Sequence, residues 1–187
     1  PQAGLPLPPP RPRWNVALYV EWALRPEGAD RPLHLLCRQL EACGGHGDDT
    51  WVAADAPALD KMRAIRHAVP EQVNALIAAR KLLHPQLTKL GTDFSVPDDR
   101  LRQVMRLYRD DLASAGLEHV IFGHIGNNHV HVNILPRDMA EYAAGKALHL
   151  RWAEQVVAWG GSIAAEHGVG RLKREMLALQ YGPGGIA

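Results

Sequence analysis

A chain of 187 residues is long enough for one substantial core and a small second lobe, but too short for two full domains. Its 21 Lys and Arg against 20 Asp and Glu leave a net charge of +1, which excludes the electrostatic footprint of a nucleic-acid or anionic-membrane binder. No apolar run approaches the roughly 20 residues of a membrane span and the start has no secretory-signal pattern, so a cytoplasmic protein is expected.

Residues 1–13, PQAGLPLPPPRPR, are crowded with proline and read as an extended linker or ragged end, a PxxP ligand being the rarer alternative. One domain is expected over 14–187, opening with a strand in WNVALYVEWAL, where apolar residues alternate. A helix follows from Arg31 to Cys43, with Leu35, Leu36, Leu40 and Cys43 at helical spacing, and GGHGDD ends it. Cys37 and Cys43, six apart on that helix, fit neither a disulfide scaffold nor a thiolate knuckle and are expected to be reduced. A short strand is expected at Thr50 to Ala53, then helix over 57–82 with a break before Pro70, because proline disfavours helical geometry in its predecessor. Thr88 to Val96 reads as extended. Asp98 is placed to cap a helix to Ala115 whose stripe is Leu101, Val104, Met105, Tyr108 and Leu112. After the strand LEHVIFG, Asp138 and Glu141 form a capping box for a helix to about Trp159, and RLKREMLAL starts a last helix. Strands interleaved with helices and closed by an antiparallel hairpin predict an α+β fold, an antiparallel sheet with helices packed on one face.

The stretch FGHIGNNHVHVNILP, residues 122–136, carries three histidines within eight residues. Asn127 and Asn128 tolerate positive φ and suit the centre of a type I′ turn, which would set His124 opposite His131, Ile125 opposite Val130 and Gly126 opposite His129. Strand alternation then puts Ile121, Ile125, Val130, Val132 and Ile134 on one face and Phe122, His124, His129, His131 and Asn133 on the other. Opposed residues have Cβ atoms about 5 Å apart, near enough for His124 and His131 to share a metal ion. The plainer alternative is a hairpin whose histidines only face water. Further on, GGSIAAEHGVG sets Glu166 beside His167 between glycines. A carboxylate there can be a third metal ligand while the neighbouring imidazole serves as a base, although a surface turn would look the same.

GHIGNNHVHVN followed by GGSIAAEHGVGRLKREML resembles the C-terminal, substrate-binding domain of FAD-linked oxidases of the vanillyl-alcohol oxidase type. That group contains D-lactate dehydrogenases, the flavin-containing component of glycolate oxidase and D-2-hydroxyglutarate dehydrogenase. The likeness extends upstream through MRAIRHAVP and GTDFSVP, and so covers nearly the whole chain from Trp14. It implies a ferredoxin-like α+β domain of an enzyme that oxidises a small 2-hydroxy acid to a keto acid by hydride transfer to FAD. It implies a divalent metal, zinc or manganese, held by His124, His131 and Glu166, with His167 as catalytic base. It also implies substrate binding by Arg66, Lys89 and Asn133. Without the likeness Arg66 would read as an ordinary surface arginine.

Family members often read GDGN where this chain has Gly126, Asn127, Asn128 and His129. The extra histidine, His129, is expected to compete as a metal ligand or to contact the flavin cofactor or the substrate. A threonine that holds substrate in some relatives falls at Pro70. The resemblance places FAD mainly in a separate N-terminal domain of the same polypeptide, whose glycine-rich pyrophosphate loop has no counterpart in these residues. The expectation is therefore the C-terminal part of a longer flavoenzyme, inactive alone, with a homodimer left open. Two alternatives remain: a histidine-triad-like nucleotide hydrolase, suggested by HVHVN, and a noncatalytic module binding a metal or an organic acid.

Overall fold

Trp14 meets Trp51 edge to face at 5.3 Å near the start of the chain, in a computed structural model that describes residues 14–23, 30–168 and 174–182. The chain divides into two compact units, residues 1–71 and 72–187. The proline-rich residues 1–13 and the first residues expected of the last helix, 171–173, lie outside the described ones.

In the first unit α1 (Asp30–Ala42) falls where the leucine spacing predicts it, with Cys37 and Cys43 as free thiols. The expected strand from Trp14 is not formed over the described residues 14–23, nor is the one at Thr50–Ala53. Alternation alone does not make a strand, which needs a neighbour to complete its hydrogen-bond ladder and cover one face. Here Val16, Leu18 and Trp22 stay exposed, as do Trp51 and Val52. Tyr19 donates to Glu21, which also pairs with Arg63.

The break expected before Pro70 is absent, because α2 (Ala56–Lys81) runs straight through it. Proline in a helix interior removes one hydrogen bond and costs about 3 kcal/mol. Hydrogen bonding along a helix this long, together with burial of Val73 and Ile77 beyond the proline, offsets that cost.

The second unit holds a three-stranded antiparallel sheet in the order β1-β3-β2, made of β1 (Leu90–Gly91), β2 (His119–His124) and β3 (His129–Ile134). Around it lie α3 (Leu101–Ala115), α4 (Met139–Ala158) and α5 (Arg174–Tyr181). This is the α+β architecture that the sequence predicts. Val132 and Ile134 of β3 join the main core, packed with Phe94, with Val104, Tyr108 and Leu112 of α3, and with Trp152, Ala153 and Val156 of α4. Tyr108 and Trp152 meet edge to face at 4.8 Å, and full burial of such side chains stabilises by about 1.5–3 kcal/mol each. A smaller cluster of Val73, Ile77, Leu87 and Leu135 packs against Val120.

Asp138 caps α4 as expected, accepting from the backbone N–H of Glu141 at 2.9 Å. The reciprocal arm of the box reaches one residue further back, with Glu141 accepting from the N–H of Arg137 at 2.8 Å. Asp98 does not cap α3; a 3-10 turn, Asp98–Arg100, intervenes, and the Asp98 carboxylate accepts instead from the Asn128 side chain.

The hairpin also differs from expectation. Four residues, Ile125 to Asn128, connect the strands through a 3-10 turn, and Asn128 alone among them has positive φ, at 55°. A type I′ turn needs two such residues. The register therefore sets His124 opposite His129, Gly123 opposite Val130 and Phe122 opposite His131. Relative to the predicted pairing this is a slip of two residues, and a slip of two preserves which side chains share a face. Ile125 is the exception: it sits in the loop, largely exposed, rather than on the apolar face.

Candidate metal centre

Central strand β3 places His129, His131 and Asn133 on the face opposite Val132 and Ile134, and all three are buried. Its partner β2 brings His124 to the same face. The His124 ring lies 6.0 Å from that of His129 and 6.3 Å from that of His131, and the latter two are 4.2 Å apart. Close approach of the strands here depends on Gly123, whose φ is +155°. A Cβ at that position would stand 2.5 Å from the carbonyl oxygen of His129.

The chain after β1 continues the sheet edge. Thr92 donates its backbone N–H to Val132 and takes the Val132 N–H on its hydroxyl oxygen, both at 2.9 Å, so a side chain substitutes for one rung of the ladder. Three residues on, Ser95 bridges both His129 and Ser162, and its two backbone bonds with Ser162 are 2.9 Å each. The second motif is tied to the first through this segment.

Between Thr92 and Ser95 stands Asp93, which sequence reasoning did not select. Only 1% exposed, its carboxylate accepts from His129 Nε2 at 3.0 Å, from the backbone N–H of Glu166 at 3.2 Å and from that of His167 at 3.0 Å. Its own carbonyl accepts from Ala165 N–H at 3.0 Å. One buried side chain thus fixes a hairpin histidine and both residues of the Glu-His pair. The available signal was an acidic residue inside the otherwise closely packed run GTDFSV.

His124, His131 and Glu166, the set expected from the sequence, converge: each offers a ligand atom, and these lie within 4.8 Å of one another. Glu166 Oε1 is 3.5 Å from His124 Nε2, near the separation of about 3.4 Å between donors around a tetrahedral zinc ion. His131 donates Nδ1–H to the Thr92 carbonyl at 2.8 Å, which leaves Nε2 with its lone pair available. That outer bond is how metal-ligating histidines are commonly oriented. Burial lowers the His131 pKa, aided by His129 and His167 and opposed by the Thr92 carbonyl, and so favours the neutral form that binds metal. Desolvation acts to raise the Glu166 pKa, but its contact with His129 and the charges of His124, His129 and His131 outweigh this and hold it below the ordinary range. A neutral imidazole and an ionised carboxylate are the protonation states a divalent ion requires, so these residues fit the metal. A second set, Asp93, His129 and His131, also has its ligand atoms within 4.8 Å of one another and is buried throughout.

The remaining expected residues are placed less closely. His167 is exposed, its ring 5.3 Å from that of His131. Asn133 is 4% exposed, paired in register with Gly91 and Val120. Lys89 stands half-buried at the entry of β1, and Arg66 belongs to the first unit, exposed on α2. His129 is 1% exposed.

An α+β domain thus gathers histidines of one sheet face and a glutamate of the following loop into a single cluster. Residues 9–187 match the family described as FAD linked oxidases, C-terminal domain, and the chain belongs to it. It is 31% identical over 141 residues to a Danio rerio protein named "Probable D-lactate dehydrogenase, mitochondrial", covering 74% of this chain and 27% of that protein. Similarity to the D-lactate dehydrogenase of Anaerostipes hadrus is 31% over 137 residues, covering 71% and 27% of the two chains. Similarity to the D-2-hydroxyglutarate dehydrogenase of Stutzerimonas stutzeri (strain A1501) is 42% over 73 residues, covering 37% and 16%. The chain thus spans about a quarter or less of the length of these relatives. Membership speaks against the histidine-triad hydrolase. Some relatives carry mitochondrial names, so a cytoplasmic location is not supported by them. Among the described residues no helix is long and apolar enough to cross a membrane.

Proposed function

We propose that this chain is the substrate-side domain of an FAD-dependent dehydrogenase of small D-2-hydroxy acids, with lactate and 2-hydroxyglutarate as the leading substrate types. The observation that carries the reading is the convergence of His124, His131 and Glu166 on one sheet face. The names of the similar proteins support the substrate class. FAD would be held mainly by a separate domain of the same polypeptide.

A divalent ion, zinc or manganese, would be held by His124, His131 and Glu166 and would supply Lewis acidity toward the substrate's hydroxyl group, while FAD would serve as hydride acceptor. His167 accepts the hydroxyl proton on a ring nitrogen; its backbone is fixed by Asp93, so the imidazole is held from a rigid anchor. Asn133, two residues beyond His131 on the same face, supplies a polar amide beside the cluster. Arg66 and Lys89 are the cationic candidates for the substrate carboxylate, a role for which the arginine fork is better suited.

Metal analysis by mass spectrometry of the purified chain, incubated with zinc or manganese, tests the site. Near-stoichiometric metal that is lost in both His124→Ala and Glu166→Ala supports it. Turnover of a panel of D- and L-2-hydroxy acids by the FAD-loaded polypeptide tests the activity. Failure to bind metal together with failure to oxidise any D-2-hydroxy acid would refute the reading.

A further inference from the structure

His129 stands where related sequences often carry asparagine, and its ring is closed off from solvent at 1% exposure, which leaves no surface for a flavin or a substrate. What the ring does meet is an acid at each end. Nε2 lies 3.0 Å from Asp93 Oδ1, and Nδ1 lies 3.1 Å from Glu166 Oε1. A carboxylate only accepts, so the ring carries a hydrogen on both nitrogens and its positive charge stands between two negative ones. Asp93 Oδ1 also accepts the backbone N–H of Glu166 at 3.2 Å. Asp93, His129 and Glu166 therefore form a closed loop of contacts, in which Glu166 is held by its backbone directly and by its carboxylate through the imidazole.

The Glu166 side chain needs such a hold. It is long, flexible and 40% exposed, and its other histidine contact, His124 Nε2 at 3.5 Å, comes from a side chain that is itself 43% exposed. His129, by contrast, is fixed on central strand β3, bridged to Ser95 and bonded through Nε2 to a buried acid. We propose that His129 is a positioning residue, which carries the hold of Asp93 across to the Glu166 carboxylate and sets that group beside His124 and His131 before any ion arrives. The proposal deepens the metal reading above and takes its functional meaning from it. Carboxylates that ligate metals are commonly hydrogen-bonded in turn, and losing such an outer partner costs about 10–100-fold in metal affinity. An asparagine in this place cannot do the same work. Its donors sit on a single nitrogen of a shorter, uncharged side chain, which can neither reach two acids on opposite sides nor balance their charge.

The test uses the full 187-residue chain, first without metal and then with zinc alone. Long-range proton–nitrogen NMR of the unaltered, metal-free protein should show hydrogens on both His129 ring nitrogens; a hydrogen on Nε2 alone would overturn the proposal without any substitution. Carbon relaxation of the Glu166 γ-methylene should report an ordered side chain that becomes mobile in His129→Asn. Competitive zinc titration against a chelator should then show affinity falling about 10–100-fold in that variant. Ile134→Val trims the core from the same strand on the opposite face, so it should lower stability while leaving both Glu166 order and zinc affinity unchanged. A Glu166 side chain that stays equally ordered in His129→Asn would overturn the proposal, as would an Ile134→Val that weakens zinc as much as His129→Asn does. If the unaltered chain binds no zinc, the metal reading fails by itself. The metal-free comparison then still decides the proposal, with loss of Glu166 order in His129→Asn supporting it and unchanged order overturning it.

Discussion

Asp93 Oδ1 lies 3.0 Å from His129 Nε2, and neither residue is more than 1% exposed. The same carboxylate accepts from the backbone N–H groups of Glu166 and His167, so removing it leaves three donors short of their partner at once. Leaving one partner of a buried charged hydrogen-bonded pair unmatched costs about 3–5 kcal/mol. Asp93→Ala should therefore destabilise the chain by about 3 kcal/mol or more in urea unfolding, and the amide protons of Glu166 and His167 should lose their protection from exchange. A loss below about 0.5 kcal/mol, the range of ordinary surface substitutions, would contradict this bond network.

How much of this was legible in the sequence depends on the kind of signal. The His124, His131 and Glu166 set came from two compact motifs, and the face assignment of the hairpin survived a wrong turn type because parity is insensitive to a slip of two. The register itself was not legible: NN is compatible with two left-handed residues, and only the folded loop shows that Asn128 alone adopts that conformation. Asp93 was missed because its partners come from 36 to 74 residues away and no spacing rule connects them. The unformed strand from Trp14 is the opposite error, since alternation was present but none of the described residues forms a strand beside it to use it.

Pro70 offers a test of the long helix. It interrupts the backbone ladder of α2 without ending the helix, at a position whose neighbours Val69 and Glu71 are exposed. Replacing it with alanine restores an N–H to the ladder and removes a steric clash worth about 3 kcal/mol, while giving back about 1 kcal/mol of unfolded-chain entropy. Pro70→Ala should raise the thermal midpoint, with a net gain of about 1–2 kcal/mol. A lowered midpoint would mean that the proline sets a geometry the rest of the chain requires.

The first turn of α4 should show a pH-dependent share of stability. Arg137 holds the Glu141 carboxyl below its usual value of 4.5. A depressed folded-state pKa contributes stability that is complete above about pH 4.5 and disappears as the pH falls through the folded value. The pair is partly exposed, so Glu141→Gln should cost less than about 1 kcal/mol at neutral pH and nothing below the folded pKa. Asp138→Ala, which removes the cap itself, should cost about 1 kcal/mol. Stability curves for both variants over roughly pH 3–7 separate the two contributions.

If His167 takes the substrate's proton, His167→Ala in the FAD-loaded polypeptide should lower kcat by about 10²–10⁴ with a small change in KM. The histidine is exposed and bonds Asp93 only through its backbone N–H, so the substitution leaves that anchor in place and the fold intact. Equal turnover would remove His167 from the chemistry. A raised KM with unchanged kcat would make it a binding residue.

Gly161 links the architecture to the metal centre. A Cβ there would stand 2.4 Å from the carbonyl oxygen of Ser95 and 2.7 Å from a methyl group of Val156. The first contact is with backbone that is itself engaged, because Ser95 O accepts the Ser162 N–H in the bridge holding the second motif to the sheet. Strand and loop would have to separate by more than a side-chain adjustment, and overpacking of this kind costs about 1–3 kcal/mol. The damage should not stop at stability. Glu166 follows that bridge by four residues, and its carboxylate reaches His124 only while the loop stays seated on Asp93. Gly161→Ala should therefore weaken zinc binding along with the fold, although it alters no ligand. A variant that is destabilised yet binds zinc with unchanged affinity would show that Asp93 alone is enough to seat Glu166.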